Sequence, residues 1–338
     1  MRYIIILSVF IQLFFSQCNS KSPDHLEINL NDSTLNEQII KLSKQIQTEP
    51  NNHEYYYLRS NEWLKINNLD YALKDISVAL DLSTENAVYN YKKAELLMER
   101  DSADAKTAQK LYEKAIKLEP NFEDALLKLG KLYLARQEYE NALGVFDKLI
   151  AIDMNNARAY FYKGMAFKEN NFKERAKEMF LKTVETDNSY YDGYMQLGEL
   201  YADSDPKLAN QFYDNALRID PESDETLYAK GFLAQKESRF KDAYAYYEQA
   251  LKFNNGHKFA AYNSAFIDIK FDNFEEAAKT LDGILLLDNE FAEAYTLRAF
   301  NHEKQKHFQE AIADYQKALT LNPQDSLAIK GLKAVGGN

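Results

Sequence analysis

The sequence predicts an all-α solenoid, on three observations. A unit of 34 residues recurs along most of the chain, small residues return at two fixed slots of every unit, and only 6 Pro and 11 Gly occur in 338 residues, too few for a turn-rich β protein. With 46% hydrophobic residues the chain has enough apolar surface to fold, and it is too long for one ordinary globular core. A formal net charge of −11 argues against a nucleic-acid partner, because phosphate binding needs a basic face. The single cysteine, Cys18, rules out an intramolecular disulfide and a thiolate zinc site.

The first element is an apolar run. Arg2 precedes Ile4 to Phe15, a stretch broken only by Ser8 and Gln12. Twelve helical residues reach about 18 Å at ~1.5 Å per residue, short of the ~30 Å hydrocarbon core. Residues 1–17 therefore read as a secretory signal peptide. The stretch Phe15-Ser16-Gln17-Cys18 resembles a bacterial lipoprotein signal, although Phe15 and Gln17 stand where that pattern prefers Leu and a small residue. The resemblance implies lipidation of Cys18 and a protein exported and anchored to a bacterial membrane, periplasmic or surface-facing. The alternative is an ordinary signal cut after Cys18, which gives a soluble secreted or periplasmic protein. Residues 18–34 are polar and without periodicity, and read as a tether.

Residues 35–52 come next, with "LNEQIIKLSKQIQTEP" reading as half a repeat or cap helix that covers the first unit's apolar edge. Eight units fill 53–325, beginning at His53, Ala87, Glu123, Ala157, Tyr191, Asp224, Lys258 and Ala292. Six are 34 residues long, while 87–122 has two extra and 191–223 one fewer. The eighth residue of each is small: Ser60, Ala94, Gly130, Gly164, Gly198, Gly231, Ala265 and Ala299. The second small slot is alanine throughout: Ala72, Ala108, Ala142, Ala176, Ala209, Ala243, Ala277 and Ala311. Two helices approach closely only where the side chains at their crossing are small. A third slot is looser, with Leu149, Thr183 and Ile284 among its alanines, and a closing proline survives only as Pro120, Pro221 and Pro323. Residues 326–338 add a short amphipathic cap helix, Ser326 to Val335, stopped by Gly336 and Gly337.

By period and slots, 53–325 resembles the tetratricopeptide repeat family. The resemblance implies a right-handed superhelical solenoid of eight helix–turn–helix units, in which the first helix of each unit lines a concave groove through its second, fifth, ninth and twelfth residues. Residues four apart share one helix face, so Phe161 with Met165, Tyr228 with Phe232, and Tyr262 with Phe266 form apolar steps, and Phe300 continues the ninth slot. The second slots are mostly acidic, as in Glu225 and Glu293. The expected partner is an apolar helix or extended segment of another protein, carrying some basic residues, and the expected role is a membrane-anchored interaction scaffold. Two alternatives stand beside it: the rings pack between repeats, or the groove is buried in a self-associating spacer. Repeats of this family that grip chaperone carboxylates use Lys at the fifth slot before Asn at the ninth, whereas here Tyr57 precedes Asn61.

No catalytic chemistry is legible. His302 and His307 lie five apart, whereas a zinc-protease helix needs four. No nucleophile elbow, phosphate loop or dinucleotide fingerprint occurs. The expectation is a non-enzyme with no cofactor and no metal.

Overall fold

The computed structural model describes residues 35–101 and 104–336. Cys18, the apolar run before it and the tether lie outside the described residues. Every regular element among the described residues is a helix, and there are eighteen. The lone leading helix is α1 (Glu37–Thr48). Pairs follow: α2 (His53–Lys65) with α3 (Leu69–Leu82), α4 (Ala87–Arg100) with α5 (Ala105–Leu118), and α6 (Glu123–Ala135) with α7 (Tyr139–Ile152). Then come α8 (Ala157–Glu169) with α9 (Lys173–Thr186), and α10 (Tyr191–Tyr201) with α11 (Pro206–Ile219). The last pairs are α12 (Asp224–Lys236) with α13 (Phe240–Phe253), α14 (Lys258–Lys270) with α15 (Phe274–Leu287), and α16 (Ala292–Lys304) with α17 (Phe308–Leu321), closed by α18 (Ser326–Ala334). One pair answers to each sequence unit. The chain divides inside α6, between Leu132 and Tyr133, into two compact units.

Within a repeat, size complementarity explains the eighth slot. A Cβ on Gly164 would sit 2.7 Å from Phe180, one on Gly198 2.3 Å from Tyr213, and one on Gly231 2.6 Å from Tyr247. An aromatic ring of the second helix thus lies where a side chain of the first would be. Where the slot is Ala265, the facing residue is the smaller Leu281. All eight alanines of the second small slot are fully buried.

The turns repeat as strictly. In six repeats the residue after the first helix's cap takes a left-handed conformation: Asn67, Gln137, Asn171, Ser238, Asp272 and Lys306, with φ between 55° and 63°. The next amide then reaches back to the carbonyl five residues earlier, as Asn68 N–H does to Trp63 at 2.9 Å and Phe172 N–H to Phe167 at 2.8 Å. The two exceptions are the repeats of aberrant length. In 191–223 the turn instead ends on Asp205, which accepts from the Leu208 N–H at 3.1 Å, with Pro206 opening α11. Between repeats, Asp153, Asp187, Asp220, Asn254, Asp288 and Asn322 each accept, through the side chain, an N–H two residues on.

Polar staples join successive repeats at a constant separation of sixteen residues. Lys163 reaches Asp147, Lys230 reaches Asp214, Ser264 donates to Glu248 at 3.1 Å, and Arg298 donates to Asp282 at 2.6 Å. In the first compact unit Arg59 donates to Ser43 of α1 at 2.9 Å, again sixteen residues back. Toward α2, α1 therefore stands where the second helix of a repeat stands. Arg59 also grips Asp75 with two bonds of 2.7 Å, and the Trp63 indole donates to the same carboxylate at 2.9 Å. Arg59 and Asp75 are both buried, and around them pack Ile39, Ile46, Tyr56 and Ile76.

Candidate functional site

The face built by the first helices of the second compact unit holds all seven residues expected to contact a partner. The structure divides them. Phe161 is packed: it is 9% exposed and its ring lies 5.6 Å from Phe180, 5.3 Å from Tyr162 and 5.1 Å from Tyr190. It belongs to the core because Tyr190, at the end of its own repeat, folds over it. Met165 is half-buried against the same core. Tyr228 is half-buried between His257 at 4.9 Å and Phe232 at 6.3 Å. Phe232 is 45% exposed and Phe266 is 37% exposed. Tyr262 and Phe300 are half-buried, with Lys304 Nζ 4.9 Å above the Phe300 ring.

Two rings of this face were missed. Phe259, in the second slot of its repeat, is 48% exposed and lies 6.5 Å from Tyr228 and 5.9 Å from Phe291. Phe291 closes that repeat and lies 5.6 Å from Tyr262. The Lys258 ammonium sits 5.0 Å from the Phe291 centroid and pairs with Asp288 at 2.8 Å. Phe259 was visible as an aromatic in a slot read as acidic, whereas Phe291 lies outside the four slots considered.

Three expected residues, Tyr262, Phe266 and Phe300, meet in a cavity of about 430 Å³. Its other walls are Thr296, Tyr315 and the cap helix α18, which supplies Leu327, 66% exposed, and Gly331. Gly331 is required there, since its Cβ would stand 2.1 Å from the Tyr315 ring. Two of the pocket's hydroxyls are bonded internally: Tyr315 donates to Glu303 at 2.8 Å and Thr296 to Asp325 at 2.6 Å. Burial, with the Glu293 and Asp325 anions, pushes the Tyr262 phenol up to about 12, so it stays neutral at physiological pH. Such a cavity, apolar with a few fixed polar groups, suits a bulky apolar group from outside.

Among the described residues no three His, Cys, Asp or Glu side chains gather as metal ligands, and no helix is long and apolar enough to cross a membrane. His302 and His307 lie 6.2 Å apart by ring centroid, His302 beside Asp314 and His307 at the start of α17.

Comparison with known proteins bears on this geometry. Tetratricopeptide repeat profiles match residues 100–163, 232–299 and 292–325, the last coinciding with the eighth repeat. The chain is 27% identical over 169 residues to the Hsp70-Hsp90 organising protein of Plasmodium falciparum, covering 48% of this chain and 28% of that protein. It is 26% identical over 200 residues to a TPR repeat-containing protein of Methanocaldococcus jannaschii, covering 55% of this chain and 34% of the relative. It thus spans about a third or less of both relatives. Among solved structures, pilF of Pseudomonas aeruginosa superposes with a TM-score of 0.56 at 20% identity, covering 63% of this chain and 96% of that one. A tetratricopeptide repeat protein of Parabacteroides merdae gives 0.54 at 15% identity, covering 74% and 98%. Both show likeness of fold alone.

Proposed function

Because this chain carries tetratricopeptide repeats, we propose that it is a protein-interaction scaffold whose first-helix face, from Tyr228 to Phe300, holds an apolar segment of a partner protein. The observation that carries this reading is the run of rings left open to solvent on consecutive repeats, Phe232, Phe259 and Phe266, leading into the cavity beneath Phe300. Exposed rings on a rigid framework are the anchors that dominate interface energies. Exposed Glu225 and Glu293 flank them and favour basic residues in the partner segment. The name of one relative, the Hsp70-Hsp90 organising protein, fits a scaffold role for this kind of repeat.

The same proposal includes anchoring. A lipid on Cys18 would hold the scaffold at a bacterial membrane and raise the local concentration of its partner there. The support is the sequence around Cys18.

The test is a crosslinking pull-down from detergent-solubilised membranes, with full-length protein against a Phe232→Ala/Phe266→Ala variant. Both rings lie at the surface and outside the buried core, so the variant is expected to keep its fold, and each anchor is worth ~2 kcal/mol or more if it is a hot spot. A partner captured by the first and lost by the second supports the reading. Equal capture by both removes these rings from the interface.

A further inference from the structure

The seventh repeat departs from the others on a different surface, at the turn end of α13 and α14. The eleventh residue of a repeat is a ring, buried in Trp63 and Phe167 and half-buried in Tyr133 and Tyr201. Here it is Asp268, 4% exposed. The fourteenth residue is polar in Arg136, Asn170, Glu237 and Gln305, but here it is Phe271, 48% exposed. The repeat thus places its carboxylate inside and its ring outside.

The exchange opens a cavity of about 360 Å³, lined by Lys241, Tyr244, Ile267, Asp268, Phe271 and Asn273. Asp268 accepts one side-chain hydrogen bond, from Asn273 at 3.2 Å. Among the described residues no Lys, Arg or His pairs with it. The charges that act on it are anions, Glu248 on α13 and Glu276 on α15, while Lys241 lines the same cavity without pairing to it, and it stands in the last turn of α14, where the helix dipole is also negative. Burial, aggravated by those two glutamates, raises its carboxyl above the ordinary value. A carboxylate kept in such a place without a cation lowers stability, which is a mark of a site retained for binding.

The chain shows what belongs there. Between the fourth and fifth repeats, the residues at the same two slots are Lys177 and Tyr201, and the Lys177 ammonium lies 4.5 Å from the Tyr201 ring centroid. Between the sixth and seventh repeats those slots hold Tyr244 and Asp268: a ring and an anion, with no cation from either slot. We propose that this cavity is a binding site for an arginine side chain presented by a partner protein. A guanidinium stacks between the Tyr244 and Phe271 rings while its fork bonds the Asp268 carboxylate, a combination a neutral side chain cannot make.

The probe is N-acetyl-arginine methylamide, titrated into the full chain and followed on the Ile267 methyl resonance, with N-acetyl-norleucine methylamide as the neutral control. The expected result is a saturable Ile267 shift with the arginine probe and at least about tenfold weaker response to norleucine. Asp268→Asn, which keeps shape but not charge, abolishes the shift. Asp268→Leu also abolishes it while raising the melting temperature by about 2 °C. Equal response to norleucine, a shift retained in Asp268→Asn, or no shift in wild type each overturns the proposal. A saturable shift seen only in Lys241→Gln also overturns it, since the chain's own ammonium then fills the cavity.

Discussion

At the scale of the residue, the repeats impose two opposite demands on glycine. At Gly164 the Phe180 ring occupies the place of a Cβ, 2.7 Å away. Gly164→Ala is expected to lower stability by ~1–3 kcal/mol, measured by urea unfolding. At Lys306 the backbone is left-handed, with φ 63°, yet the residue carries a Cβ. That conformation costs ~1–2 kcal/mol for a residue other than glycine. Lys306→Gly should therefore stabilise the chain, by up to ~1 kcal/mol once the extra freedom of glycine in the unfolded state is subtracted. A lower urea midpoint for Lys306→Gly would show that the turn owes its shape to something else. Asp268 gives a pH signature. Its folded-state carboxyl titrates above the ordinary 3.8, so the folded chain holds this proton where the unfolded chain has released it. Stability contributed by the protonated form is lost as pH rises through that raised value. The stability advantage of Asp268→Asn over wild type should thus widen as pH climbs from about 4, and melting curves of the pair across pH check it. The groups facing Asp268 are Tyr244 and Glu248 of α13, Glu276 of α15 and Lys241 at the cavity's edge.

At the scale of the element, the small slots made the helix pairs legible, because close crossing leaves its mark on the residues that cross. Phe161 was read as a groove residue because it fills the fifth slot and shares a helix face with Met165, whereas the ring that covers it, Tyr190, comes from the repeat's end and outside the first-helix pattern. The cavity at Phe300 was not legible, since Gly331 and Leu327 enter it only when α18 folds back against α17 and α16. The Asp268 cavity escaped for a similar reason: it requires comparing the eleventh and fourteenth slots across repeats. The leading helix makes a sharper prediction. Arg59 ties α1 to α2 and α3 through Ser43 and Asp75, and Trp63, the single tryptophan, reports on the same network. Arg59→Met leaves the buried Asp75 without its cation and should cost ~3–5 kcal/mol, seen as a lower urea midpoint by tryptophan fluorescence. The double variant Arg59→Met/Asp75→Leu should recover much of that loss. Failure to recover would mean that the pair is held by its hydrogen bonds to Ser43 and Trp63.

At the scale of the whole molecule, the proposed anchoring and the proposed binding are open to separate tests. Cys18→Ser should move the protein from the membrane fraction to the soluble one and remove the mass of the lipid from the mature chain, while leaving the Phe232/Phe266 interaction intact. A wild-type chain that carries no lipid and lacks Cys18 would favour an ordinary signal cut after Cys18. The staples described above have a further consequence. Each spans sixteen residues, and the helices that pack within each compact unit are near neighbours in sequence, the longest steps being α14 to α16 and α16 to α18. Contacts this local close quickly, because little loop entropy is lost in making them. A nascent chain threaded end-first through a narrow pore can therefore lock each repeat as soon as the following helix emerges, and the part still inside has nothing to hold back.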